Sequence, residues 1–224
     1  MGGLKIYHIF NRGTDKRKIF ISDNDKARFI HNMYEFNDTA PALKFNLEIK
    51  EKDKSVHSRD KLVKIHSFCL MSNHYHFICE EIRDGGISLF MKKLQGGYAR
   101  GFNEKYKRSG HLFGSKYKSI LIQDEIYLLQ MGCYIHSNSL DLWKSKWRKT
   151  KLEKEEKKEA LSFLEKYRWS SYLDYAGGKN FPSVIDKDLL EGAFKIYGGH
   201  KKFFTQWLNQ FVTNTEKIKR YLLG

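Results

Sequence analysis

Residues 62–82, LVKIHSFCLMSNHYHFICEEI, hold the pattern that decides the fold. Two runs rich in β-branched and aromatic residues, about 62–71 and 74–82, flank the dipeptide Ser72-Asn73. Such runs around a short polar turn are typical of a β-hairpin. We therefore expect two antiparallel strands joined at Ser72-Asn73.

Apolar periodicity and helix caps predict the elements outside this hairpin. Strands are expected at 4–10 and 116–123. Helices are expected after the polar caps at 22–25, over 86–107 and over 124–138. The order is then β-α-β-β-α-β-α. Its first six elements are those of a ferredoxin-like (RRM-like) antiparallel sheet with helices packed on one face, so the fold class is α+β.

The second helix contains Gly96 and Gly97 in succession. Each glycine costs a helix about 1 kcal/mol relative to alanine. Two explanations remain open at this stage: the helix kinks there, or another element packs closely against it.

The character of the chain changes after Trp143. We expect a sheet domain over 1–143 and a helical C-terminal extension over 144–224. The stretch 144–158 mixes charges of both signs and predicts a solvated helix. Residues 48–61 are polar and predict a mobile loop.

Composition narrows the classes of function. The 224 residues include 41 Lys and Arg against 26 acidic residues, a net charge of +15, which favours a polyanionic partner such as nucleic acid. Hydrophobic residues make up 41%, enough to exclude a wholly disordered chain. No run approaches the roughly 18 apolar residues of a membrane span, and the start lacks a signal-peptide pattern. The three cysteines are typical of a cytosolic protein with reduced core thiols.

His74 and His76 flank Tyr75 on the second strand of the hairpin. Residues two apart on a strand face the same side, so both imidazoles can bind one metal ion. Alone the motif is weak, because roughly 0.3–0.4 such pairs are expected by chance in this composition. Two unrelated core or surface histidines are the competing interpretation.

Tyr134 and Asn138 lie four residues apart on a predicted helix and therefore on one face. A phenol with a pKa near 10 is a weak nucleophile at neutral pH and needs a metal or a base. A divalent ion held by two imidazoles and the amide oxygen of Asn138 could polarise a phosphodiester while Tyr134 attacks phosphorus. This pair is also weak on its own.

A zinc site made of Cys69, His74, His76 and Cys79 is an alternative. Cys79 has the opposite strand parity from the histidines and should face away from them. A tetrahedral site would therefore need a bulge or a broken strand, so we expect the sulfurs to pack in the core.

Basic residues precede the tyrosine helix and alternate with aromatic residues. Such a pattern suits single-stranded nucleic acid, with phosphates on cations and bases on rings. About half of these residues are expected to be ordinary core rings and solvated lysines, since any amphipathic helix buries one face. The candidates for DNA contacts on this surface are Lys92, Lys93, Arg100, Lys116 and Lys118.

The order of four segments identifies a family resemblance. The segments are YHIFNRGTDKRKIF (7–20), FCLMSNHYHFICEE (68–81), GHLFGSKYKSILIQDEIYLLQMGCYIHSN (110–138) and YRWSSYLDYAGG (167–178). They resemble the single-tyrosine transposases of the HUH endonuclease superfamily, in particular the REP-associated, insertion-sequence-200-like branch. The resemblance covers about residues 5–143, and the last segment is similar to the stretch after the catalytic domain in longer members.

This resemblance implies a HUH fold that cleaves and joins single-stranded hairpin or palindromic DNA with Mg²⁺ or Mn²⁺. His74 and His76 match the metal ligands, and Tyr134 matches the nucleophile that forms a 5′-phosphotyrosine link. Asn138 matches the polar residue that can complete the metal site, and Arg12 is expected to contact DNA. The resemblance also implies a bacterial, nucleoid-associated protein of the cytoplasm that is a monomer or homodimer.

Three positions depart from the family pattern. Ser72 replaces a proline before Asn73-His74, Tyr75 replaces an aliphatic residue, and Ser139 replaces a proline after Asn138. None of them removes a chemical group, so we interpret the site as intact.

Two other functions remain open. One is a domesticated protein that binds DNA hairpins without cleaving them, with steep salt dependence and no covalent product. The other is a hydrolase or an RNA-binding ferredoxin-like domain in which the histidines bind zinc and the tyrosine is incidental.

Overall fold

A computed structural model describes residues 3–41 and 59–210 of the chain. Its sheet has four antiparallel strands in the order β2-β3-β1-β4. The strands are β1 (Ile6–Arg12), β2 (Val63–Leu70), β3 (His74–Glu81) and β4 (Lys118–Leu121). This arrangement confirms the expected ferredoxin-like sheet and the hairpin at Ser72-Asn73. Most of the loop predicted at 48–61 lies outside the described residues.

Two helices cover one face of the sheet, as expected. They are α1 (Asp23–Glu35) and α2 (Gly86–Lys105). A capping box formed by Ser22 and Asp25 begins α1. The Phe29 ring of α1 packs against Tyr75 and Phe77 of β3, with ring centroids 5.2 and 6.2 Å away. The odd-numbered side of β3 therefore faces the main apolar core.

The glycine pair of α2 does not break the helix. A Cβ on Gly97 would lie 2.5 Å from the Phe36 ring, whereas a Cβ on Gly96 would meet open space. Close packing of Phe36, the residue after α1, therefore explains Gly97. Of the two explanations for the glycine pair, close packing is therefore correct and a kink is wrong.

The seventh element, α3 (Glu125–Ser137), packs on the opposite face of the sheet. Its Tyr134 ring lies 5.7 Å from the His76 ring, which belongs to the even-numbered side of β3. Nine of its residues are buried, among them Leu129, Met131 and Ile135. Both faces of β3 are therefore buried, one by core aromatic residues and the other by the helix that carries Tyr134.

The residues after Trp143 cover the β2 edge of the sheet. The backbone N–H of Leu70 donates to the Trp169 carbonyl at 2.9 Å, and that of Ser171 donates to the Phe68 carbonyl at 3.0 Å. An exposed strand edge invites pairing with other chains, so this cover is protective. The short helix α4 (Leu140–Trp143) leads into this region, and the helices described within it are α5 (Lys154–Lys166), α6 (Tyr172–Tyr175), α7 (Asp188–Ile196) and α8 (His200–Asn209).

The prediction of a solvated helix over 144–158 is wrong for its first half. A short 3-10 helix, Trp147–Lys149, lies there instead, and α5 begins only at Lys154. The Trp147 side chain is buried, because its apolar ring packs into the core while its indole N–H donates to Asp141. Over the two described ranges, none of the helices combines the length and the apolar character needed to cross a bilayer.

Candidate functional site

Two imidazoles lie side by side at the start of β3. His74 and His76 face the same side of the strand, with ring centroids 5.1 Å apart and ring planes nearly perpendicular. His76 pairs across the sheet with Phe10 of β1 and with Cys69 of β2, so its position is fixed by strands on both sides. The expected pair is therefore brought together by the period of a regular strand.

Hydrogen bonds decide which nitrogen of each ring is available to a ligand. His74 Nδ1 lies 2.7 Å from the amide oxygen of Asn73, which only accepts, so Nδ1 carries the proton and Nε2 keeps its lone pair. His76 Nδ1 lies 2.9 Å from His8 Nε2. When His76 donates in that bond, its own Nε2 is also free to bind a metal.

Burial keeps both imidazoles neutral. It lowers the pKa of His74 to about 4, with a further contribution from the charge of Arg12, and it lowers the pKa of His76 well below the ordinary value. Neutral imidazole is the form that coordinates metals, so no proton has to leave the pair before an ion binds at neutral pH.

Sequence reasoning missed His8, which supports His76 from β1. Its ring is fully buried, and its centroid lies 5.2 Å from that of His76. Alternation along β1 places His8 and Phe10 on one face, and the two rings stack at 4.9 Å. That alternation was a usable signal, but nothing local to β1 indicates that this face meets His76.

Tyr134 reaches this pair from α3. Its ring is 6% exposed and stands edge-on to His76 at 5.7 Å and to His8 at 6.3 Å. Burial raises the pKa of Tyr134 above its ordinary value, and the charge of Arg148 is the strongest influence in the opposite direction. The tyrosine is therefore a neutral phenol held against the histidine pair.

Asn138 caps the same helix one turn later and is also buried. Its amide nitrogen donates to the Tyr134 carbonyl at 2.9 Å, and its amide oxygen accepts from Arg148 Nη2 at 3.3 Å. An amide oxygen has two lone pairs, so Asn138 keeps one for a further partner. The amide oxygen is a donor that suits Mg²⁺ and Mn²⁺, whereas neutral imidazoles are ligands of divalent transition metals more generally.

The cysteines do not join this site. Cys79 faces the opposite side of β3, and Cys69, Cys79 and Cys133 are all buried. Burial raises the pKa of all three thiols, that of Cys69 to about 12. Within residues 3–41 and 59–210, no cluster of three His, Cys, Asp or Glu side chains could hold a metal ion.

A cavity of about 400 Å³ opens beside the histidines. Two of the residues predicted to contact DNA, Arg12 and Lys118, line it, and Lys118 Nζ lies 5.8 Å from the centre of the Phe10 ring. Lys116 is exposed on the segment that leads into β4. The cavity is bordered by Phe10, Asn11, Arg12, Gly13, His74, Tyr75, His76, Gly114, Ser115 and Lys118.

The other three predicted DNA contacts lie elsewhere. Lys92, Lys93 and Arg100 belong to α2, which covers the face of the sheet away from Tyr134. Lys93 Nζ donates to the carbonyl oxygens of Asp38 and Ala40. The structure therefore separates these three residues from the cavity, and a role in DNA binding stays a prediction for them.

Comparison with known proteins identifies the family. Residues 5–138 match the family model described as "Transposase IS200 like". Six solved chains match in fold, among them one described as a REP-associated tyrosine transposase bound to a REP hairpin. It shares 10% sequence identity at a TM-score of 0.47, over 83% of this chain and 90% of that one. No curated protein matches.

The family match ends at Asn138, so it contains the histidine pair and Tyr134 but not Arg148. It spans more than half of the 224 residues and follows the ferredoxin-like sheet from β1 to the end of α3. The chain belongs to the IS200-like transposase family.

Proposed function

We propose that this protein cleaves and rejoins single-stranded DNA at hairpin or palindromic sequences through a covalent bond to Tyr134. The observation that supports this function is the position of the Tyr134 ring, edge-on to His76 at 5.7 Å. His76 borders a cavity that is also lined by Arg12 and Lys118. The proposed nucleophile therefore adjoins His76, and His76 in turn borders the cavity that the two cations line, which is a combination of groups that strand transfer uses.

The cavity is suited to the backbone next to the cleaved phosphate. The Arg12 guanidinium and the Lys118 ammonium, which line the cavity, bind phosphate oxygens. Its volume of about 400 Å³ suits a nucleotide rather than a duplex. The net charge of +15 attracts the rest of the strand.

The cofactor in this proposal is Mg²⁺ or Mn²⁺, which His74 and His76 would hold through their Nε2 atoms, with Asn138 as the candidate oxygen ligand. Once bound, a divalent ion stabilises negative charge on the phosphodiester and on the leaving oxygen. His8 keeps the His76 ring in place through the 2.9 Å bond to Nδ1, and Asn73 does the same for His74.

Cleavage exchanges one phosphoester bond for another. The phenolic oxygen of Tyr134 attacks phosphorus, the bond from phosphorus to the 3′ oxygen breaks, and the phenolic proton is released. The 3′ oxygen takes up a proton and becomes a free hydroxyl, while the 5′ phosphate stays on the tyrosine. Attack by a 3′-hydroxyl reverses these steps and joins the strands, so no ATP is needed.

Covalent capture tests this proposal directly. The full chain is incubated with an end-labelled single-stranded hairpin from the flanks of its own gene, with Mn²⁺ or with EDTA, and run on a denaturing gel. Tyr134→Phe should abolish the adduct while the Kd for the hairpin stays within about twofold, because only the hydroxyl is removed. Tyr127→Phe, on the same helix, is the matched control and should keep the adduct.

An adduct that survives Tyr134→Phe would show that another residue is the nucleophile. Tight binding of the cognate hairpin by the wild-type chain without any adduct would favour a non-cleaving hairpin-binding protein. Loss of the adduct in EDTA and its return with Mn²⁺ are expected if the histidine pair binds the metal.

A further inference from the structure

The C-terminal extension places the charged side chain of Arg148 beside the proposed active site. Arg148 belongs to the 3-10 helix Trp147–Lys149, ten residues after Asn138. The neighbouring Trp147 is 1% exposed, and its indole N–H donates to Asp141 at 2.8 Å. The buried Trp147 side chain fixes the position of the short helix. Arg148 is therefore held next to the end of α3.

The guanidinium of Arg148 lies over the Trp147 ring, 4.7 Å from its centre, and also contacts Asp141, Asn138 and Tyr134. Its Nε and Nη2 atoms donate to the two carboxylate oxygens of Asp141 at 2.9 and 3.2 Å. Nη2 also donates to the amide oxygen of Asn138 at 3.3 Å. The central carbon lies 5.3 Å from the centre of the Tyr134 ring, within the range of a cation–π contact.

These contacts fix two groups that the proposed reaction uses. With its oxygen directed to Arg148, the amide of Asn138 turns its nitrogen to the Tyr134 carbonyl, where it donates at 2.9 Å. The guanidinium also covers the ring of Tyr134, whose edge faces His76. Removing the guanidinium takes away one contact of the ring and one hydrogen bond of the amide at once.

The charge of Arg148 is largely balanced by Asp141, with which it forms a two-pronged ion pair. A guanidinium engaged in this way contributes less to overall DNA attraction than Arg12 or Lys118, which line the cavity. Its effect should therefore fall on the reaction rate and leave DNA affinity nearly unchanged.

We infer that Arg148 of the C-terminal extension is a positioning residue of the active site, which holds Tyr134 and Asn138 in the geometry for attack on phosphorus. This inference rests on the proposed function. It implies that residues beyond the transposase family match complete the site, so the extension has a role in the reaction itself.

The test measures single-turnover adduct formation by Arg148→Ala in the full chain. We expect a rate about ten- to a hundredfold below wild type, since misplacing a reacting group by about 1 Å can cost this much. The Kd for the hairpin should stay within about twofold. Arg148→Lys keeps the charge but loses the planar fork, so it should recover only part of the rate.

Two matched variants separate positioning from other effects. Lys149→Ala removes an exposed cation from the same short helix, and Arg168→Ala removes an arginine that stacks on Trp169 and Phe181 elsewhere in the extension. Both should react at rates within about twofold of wild type. Equal losses in Arg148→Ala and either control would overturn the inference, as would full recovery in Arg148→Lys.

A second measurement does not depend on activity. With 3-fluorotyrosine incorporated at position 134, the ¹⁹F resonance should shift or broaden in Arg148→Ala and stay unchanged in Lys149→Ala. An unchanged resonance in Arg148→Ala would overturn the positioning role. If the wild-type chain forms no adduct, the proposed function fails, and this resonance alone then decides whether Arg148 positions the tyrosine ring.

Discussion

Two pairs of histidines lie on the side of the sheet that α3 covers, and one of them borders the cavity lined by Arg12 and Lys118. The cavity pair is His74 and His76, with ring centroids 5.1 Å apart. The core pair is His136 of α3 and His200 of α8, with centroids 4.9 Å apart. Burial lowers the pKa of all four imidazoles, so depressed basicity does not tell the two pairs apart.

The pairs differ in what their nitrogens contact. In the core pair, His136 Nδ1 lies 2.9 Å from His200 Nε2, and His136 Nε2 lies 3.2 Å from Ser67 Oγ and 3.0 Å from Ser171 Oγ. The cavity pair instead uses Nδ1 of each ring for a protein contact and borders the cavity lined by Arg12 and Lys118. An available lone pair beside a cavity distinguishes a ligand from a structural histidine.

The largest effect should come from His76→Ala. It removes one of two imidazole ligands, so adduct formation with Mn²⁺ should fall at least about a hundredfold, and Mn²⁺ affinity measured by calorimetry should fall with it. The variant should also be less stable, because it leaves a cavity and removes the buried hydrogen-bond partner of His8, so adduct formation is measured per folded molecule. Adduct formation within a few fold of wild type would remove His76 from the metal site.

His136→Ala should lower stability without lowering the rate of adduct formation. It deprives Ser67, Ser171 and His200 of a buried hydrogen-bond partner and leaves a cavity beside Tyr172 and Tyr175. We expect a loss of about 3 kcal/mol in the free energy of unfolding, measured with urea. Adduct formation per folded molecule at low temperature should stay within about threefold of wild type.

The exposed His111 supplies the control for this variant, because His111→Ala should leave the free energy of unfolding within about 0.5 kcal/mol of wild type. If His136→Ala were as stable as wild type, the core pair would not join the extension to the sheet.

The features that could be predicted depend on residues that are close together in the sequence. The period of two in β3 predicted that His74 and His76 share a face, and the helical period predicted the same for Tyr134 and Asn138. The order of elements predicted the sheet, because a ferredoxin-like arrangement results from this succession of strands and helices. The division of the chain at Trp143 remains a prediction.

Contacts between distant segments account for the features that sequence reasoning missed. His8 meets His76 only because β1 pairs with β3 in the register that sets Phe10 opposite His76. Arg148 meets Tyr134 only because the chain turns back after α4 and buries Trp147. The pattern of basic residues in the sequence likewise does not show which side of the fold each residue occupies. It therefore could not distinguish Lys118, at the cavity, from Lys92 on α2.

The smallest effect, and the finest test of the comparison, is the pH dependence contributed by His200. Burial lowers the pKa of His200 from 6.5 to about 3, so in the folded protein the ring stays neutral while the unfolded chain takes up a proton below about pH 6.5. Stability from this group is complete above pH 6.5 and declines as the pH falls toward 3. At pH 5.5 the loss from one such group is about 1.4 kcal/mol.

His200→Phe removes the titrating ring. Between pH 7.5 and 5.5 the free energy of unfolding of the variant should therefore fall by about 1.4 kcal/mol less than that of wild type, although the variant is less stable at both pH values. Equal losses in the two proteins would mean that His200 takes up its proton in the folded state as readily as in the unfolded chain, and the core pair would then not be sealed from solvent.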